Sequence, residues 1–118
     1  MTLTHHDSSE RMSKYVIHNG TVYLSGQVPS DATANMREQT EQVLARIDDL
    51  LARAGTDKTR LISAQIWVSS MEEFADMNSV WDAWVAPGRP PVRAAVEAGL
   101  ANPDWKVEIM AVAALPEG

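Results

Sequence analysis

The stretch Leu61-Ile62-Ser63-Ala64-Gln65-Ile66-Trp67-Val68 decides the architecture, because it alternates like a strand and runs straight into a helix and then another strand. Ile62, Ala64, Ile66 and Val68 share one face, and Leu61, Ser63, Gln65 and Trp67 the other, the two-residue period of a pleated chain. Apolar side chains on both faces predict a central strand. Downstream, Ser70 and Glu73 have the spacing of a capping box, and Phe74, Met77, Trp81 and Val85 form one helical stripe that Pro87-Gly88 ends. Two more strands, Val92–Ala98 and Trp105–Ala113, flank a turn carrying Asn102-Pro103-Asp104.

Upstream, Asn35 and Glu38 make another capping box, and Val43, Leu44, Ile47, Leu50, Leu51 and Ala54 recur at helical spacing until Gly55. Before it, Tyr15–His18 and Thr21–Ser25 flank Asn19-Gly20, the strongest short-range hairpin signal. Residues 1–10 have no apolar periodicity, so residues 1–12 are expected to be an N-terminal arm, mobile or docked on a partner. The predicted order is β-β-α-β-α-β-β, an α+β domain over residues 1–118 with two helices on one face of a sheet. No segment is left to cover the opposite face, where Leu61, Trp67, Met110 and Val112 are apolar. An exposed patch of that kind predicts a homo-oligomer that buries it.

A chain of 118 residues fits one compact domain. With no cysteine there is no disulfide, thiolate metal site or thiol nucleophile, which suits a reducing cytoplasm, where the protein is expected to reside. No apolar run is long enough for a membrane span, and the polar N-terminus does not resemble a signal peptide. A formal charge of -6 opposes binding to a phosphate backbone, so nucleic acid is not an expected partner. His5 and His6 lack the converging third and fourth donors of a metal site, and His18 lies in another segment. The sequence has neither a Gly-x-Ser-x-Gly elbow nor a Gly-rich phosphate loop. Trp67 and Trp81 are read as core or interface residues, and Glu72, Glu73 and Asp76 as solvated charges at a helix start.

Two charges stand out against this background. Arg93 in Val-Arg-Ala-Ala-Val and Glu108 in Val-Glu-Ile-Met each place a charge where the neighbours indicate buried sheet. Either they form a structural ion pair or reach water at an edge, or they serve a ligand. A guanidinium fork matches a carboxylate, and a partly desolvated glutamate can orient or activate water. Ser25 ends a strand, and Gly26 lets a ligand or side chain approach the backbone closely.

The blocks Pro91-Val92-Arg93-Ala94-Ala95-Val96, Gly99, Ala101 and Val107-Glu108-Ile109 closely resemble the pattern of the Rid family of reactive-intermediate deaminases. That family is also called YjgF or RidA, and formerly endoribonuclease L-PSP. Leu24-Ser25-Gly26-Gln27-Val28-Pro29 and Phe74-Ala75-Asp76-Met77-Asn78 are similar to two further family blocks, so the resemblance runs from about Tyr15 to Ala113. It implies a chorismate-mutase-like fold in a homotrimer, with three clefts between subunits. It implies hydrolysis of 2-imino acids, or their enamine tautomers, to 2-oxo acids and ammonia without metal or organic cofactor. On that pattern Arg93 grips the substrate carboxylate and Glu108 orients the attacking water. Ser25 and Gly26 line the cleft, Phe74 is an apolar wall, and Asn78 supports the helix and the cleft. The chain departs from the pattern where Arg11-Met12 replaces a Gly-Pro-Tyr segment and where Ala95 replaces a common cysteine, whose backbone carbonyl is still able to hold the water. The loop after Pro29 is also shorter than in many members. The alternative is a non-catalytic module that binds a small carboxylate in the same cleft. A ribonuclease rests only on the older family name and is opposed by the charge.

Overall fold

The computed structural model describes residues 2–117. It has one six-stranded sheet made of β1 (Leu3–His6), β2 (Tyr15–His18), β3 (Thr21–Leu24), β4 (Leu61–Val68), β5 (Val92–Glu97) and β6 (Val107–Ala114), in spatial order β1-β2-β3-β6-β4-β5. Only β4 and β5 pair in parallel, and α2 (Phe74–Trp84) is the crossover between them. Helix α1 (Met36–Ala54) connects β3 to β4 with β6 inserted between those strands. The class is α+β, with both helices on one face of the sheet, as the sequence predicts.

Local chemistry explains the elements. In the β2–β3 hairpin Asn19 and Gly20 have φ of 52° and 73°, the two positive values that a two-residue type I′ turn needs. The Asn35 side chain accepts from the Glu38 N–H at the start of α1. At its end Gly55, at φ 95°, donates to Ala52 while Thr56 donates to Leu51, closing a Schellman motif. Val43, Leu44, Ile47, Leu50 and Leu51 of α1 and Met77 and Trp81 of α2 are buried against Ala64, Ile66 and Val68 of β4 and Val107, Ile109, Ala111 and Ala113 of β6.

Four expectations are corrected. Leu3–His6 is not an arm: it pairs with β2, the His6 ring stacks 4.6 Å from Tyr15, and an Asp7–Arg53 ion pair ties the following turn to α1. A register shift between Leu61 and Ser63 turns Leu61 into the core and leaves Ile62 45% exposed, the reverse of simple alternation. Ser70 caps a short 3-10 turn (Met71–Glu73) through the Glu72 N–H, and α2 starts only at Phe74. Finally, β5 is an edge strand on which Arg93 is exposed, so its charge does not lie in a buried sheet.

Gln39, which the apolar pattern skips, is fully buried. Its amide donates to the carbonyls of Ala32, Ala34 and Asp104, and its oxygen accepts from the Lys106 N–H at 2.7 Å. One side chain thereby joins the loop before α1 to the segment entering β6.

Candidate active site

Residues 25–27 leave β3 and run beside β6, because Gln27 and Ile109 exchange both backbone hydrogen bonds, at 2.8 and 3.1 Å. This places Gly26 against Glu108. A Cβ on Gly26 would lie 3.2 Å from the Glu108 carboxyl carbon and nearer still to one carboxylate oxygen, so glycine here provides space rather than unusual backbone freedom. Burial raises the pKa of Glu108 above the ordinary glutamate range. The Ser25 hydroxyl donates to the Lys14 carbonyl at 3.0 Å and receives the Gln27 amide at 3.1 Å. Its proton is committed, and one oxygen lone pair is left for an incoming donor. Beside Ser25 is a hollow of about 540 Å³, lined also by Arg11, Met12 and Tyr23. Arg11-Met12 sits there in a turn closed by Ser9, which bonds both of their N–H groups.

Arg93 belongs to a different cluster. Its Nη1 donates to Asn78 Oδ1 at 2.8 Å, and the guanidinium carbon lies 5.4 Å from the Trp81 ring and 5.9 Å from the Phe74 ring, within cation–π range. These contacts orient the guanidinium while its remaining N–H groups have no partner among the described residues. Ala95 follows on the same face of β5, half-buried against the core. Trp81, read from its helical stripe as core, is buried and also underlies Arg93, a contact that helix periodicity alone does not reveal.

The expected residues therefore form two groups. Arg93 is registered with Ala64, whose side chain faces the helices, whereas Glu108 is registered with Trp67 on the uncovered face. Strand β4 separates β5 from β6, and Ala64 and Trp67 are three residues apart along it, so the two residues lie on opposite faces with backbones roughly 14 Å apart at ordinary strand geometry. No Arg93–Glu108 ion pair forms among the described residues, so the structural pairing that the sequence left open is not made within one chain. One chain does not bring the two charges together.

Residues 3–115 match the family model described as Endoribonuclease L-PSP. The chain belongs to this family, also called YjgF. A "RutC family protein" of Haemophilus ducreyi is 47% identical over 96% of this chain and 97% of the relative. "RutC family protein YoaB" of Escherichia coli strain K12 is 46% identical over 98% of this chain and all of the relative. The crystal structure of NMB1025 from Neisseria meningitidis, described as a member of the YjgF protein family, superposes with a TM-score of 0.97 at 45% identity, covering 100% of this chain and 98% of that one. The YjgF fold explains the single-faced helix layer. Among the described residues no helix is long and apolar enough to cross a membrane, and there is no cluster of metal-ligating side chains.

Proposed function

We propose that this YjgF-family protein hydrolyses 2-imino acids, or their enamine tautomers, to 2-oxo acids and ammonia in a cleft formed between two copies of the chain. The observation that supports this reading is the separation of two charged groups: an oriented guanidinium, Arg93, at the β5 edge, and a desolvated carboxylate, Glu108, beside Gly26 on the uncovered face; we read them as two half-sites. That face and the β5 edge expose Tyr23, Ile62, Val92, Val96 and Met110, an apolar surface that favours burial against further copies, as in a homotrimer.

In this cleft the Arg93 fork of one copy holds the substrate carboxylate. Glu108 of the neighbour accepts a proton from water as the water oxygen attacks the imine carbon, the C=N π pair moves to nitrogen, and nitrogen takes that proton from Glu108, which returns to its ionised form. The resulting carbinolamine collapses: its hydroxyl proton passes through Glu108 to nitrogen, the C–N bond breaks, and ammonia leaves as C=O forms. Each turnover converts one imine and one water into one ketone and one ammonia, with no redox step. Ser25, with a lone pair to offer and no proton, is suited to accept the imine N–H, while Phe74 walls the cleft and the Ala95 backbone lines it. A general base of this kind contributes about 10²–10⁴ in rate.

The committed Ser25 proton, with Arg11-Met12 and Ala95 at two of the departures from the family pattern, supports a second reading as a carboxylate-binding regulatory module. One assay separates the two. 2-Iminopropanoate or 2-iminobutanoate is generated in situ by an amino-acid oxidase or dehydratase, and its decay is followed with and without the protein. Acceleration over spontaneous hydrolysis is expected. Binding of 2-oxo acids without acceleration of any imine would support the regulatory module instead.

A further inference from the structure

At the end of the sheet where β4 begins and β6 ends, a cleft of about 380 Å³ is lined by Thr59, Arg60, Gly88, Arg89 and Ala114, among others. Two arginines thus line one cleft in a chain of net charge -6. Their protein partners are neutral. Arg60 Nη2 donates to the Leu115 carbonyl at 3.1 Å, and Arg89 Nε donates to the Thr59 carbonyl at 2.9 Å. Arg60 Nε is buried with no hydrogen-bond partner among the described residues. No described carboxylate lies within 4.0 Å of either guanidinium. Asp57, the acidic residue near both, has one oxygen engaged by the Thr59 N–H and hydroxyl.

Arg60 is half-buried and Arg89 exposed, and their two charges face the single carboxylate of Asp57, so the cluster keeps a net positive charge that an anion completes. The cleft also has room. Gly88, at φ 74°, has no heavy atom within 4 Å of where a Cβ would stand, so the Pro87-Gly88 turn leaves the approach to Arg89 open. The protein bonds use one N–H of each guanidinium and leave several on each, in two planar forks. A carboxylate has two oxygens and one charge, which a single fork satisfies. A phosphate group has at least three terminal oxygens and up to two charges, matching both forks.

We propose that the Arg60–Arg89 cleft binds a phosphate group, free or as a monoester. The site is independent of the imine reading, since it shares no residue with the Arg93 or Glu108 clusters. It is tested on the full-length protein by titrating inorganic phosphate, and separately adenosine monophosphate, at ionic strength held constant with sodium chloride. Calorimetry and amide NMR spectra give the readout. Saturable binding is expected, with perturbations centred on Thr59, Gly88, Arg89 and Leu115. Arg89→Gln, at an exposed position, is expected to weaken binding at least tenfold, Arg89→Lys to fall between it and wild type, and Arg93→Ala to bind as wild type. Equal affinity for the two probes identifies free phosphate as sufficient, and tighter monoester binding identifies a larger ligand. Shifts that chloride reproduces, an unchanged affinity in Arg89→Gln, or perturbations centred on Arg93 would each overturn the proposal.

Discussion

Gly26 and Glu108 were recognisable in the sequence as a small residue after a strand and a charge within an apolar one, but their contact was not. It depends on the Gln27–Ile109 bridge, a pairing between segments about eighty residues apart that no local pattern encodes. Gly26→Ala tests the contact. The clashing atoms are the flexible end of Glu108, so the carboxylate moves while the fold persists. The expected result is a melting temperature within a few degrees of wild type and a loss of imine hydrolysis of at least tenfold. The raised pKa of Glu108 has two further consequences. As a base it works ionised, so the acid limb of the pH–rate profile is expected above the ordinary glutamate range, and Glu108→Gln should lose turnover while retaining 2-oxo acid binding. Folding favours its protonated form, so its destabilising effect develops as pH rises from the unfolded glutamate range through the raised folded value. Glu108→Gln should then be more stable than wild type at neutral pH and lose that advantage in acid, as chemical denaturation at several pH values would establish.

The elements divide by the kind of signal that marks them. Asn19-Gly20, the Asn35–Glu38 cap and Gly55 are short-range chemistry, and each has the geometry its residues require. Strand β1 was missed because Leu3-Thr4-His5-His6 carries one apolar residue, and its stability comes from pairing with β2 and the His6–Tyr15 stack rather than from a buried face of its own. The face reversal at Leu61 and Ile62 was hidden for a similar reason, since a bulge is set by the partner strand β6. Gln39 looked like an ordinary polar helix residue, yet three carbonyls and the Lys106 N–H depend on it. Gln39→Ala leaves those groups unpaired beside a cavity and is expected to destabilise the protein by about 2–4 kcal/mol. Urea denaturation measures this, and a change within about 0.5 kcal/mol would contradict the role assigned to Gln39.

At the level of the whole molecule, the uncovered apolar face was legible from strand alternation, and the structure sharpens its meaning by placing Arg93 and Glu108 on opposite faces. On the proposed mechanism neither half-site suffices alone, so assembly is expected to be a condition of activity. A charged substitution in the exposed patch, such as Met110→Lys or Ile62→Glu, should yield smaller particles in light scattering and lose activity in parallel. The most direct test combines two inactive variants, Arg93→Ala and Glu108→Gln. When they are co-assembled in equal amounts, a cleft drawing one residue from each of two copies regains both wild-type side chains in about a quarter of cases. Recovery of about that fraction of wild-type imine hydrolysis is the predicted result, and a mixture as inactive as its parents, despite demonstrated co-assembly, would contradict the shared cleft.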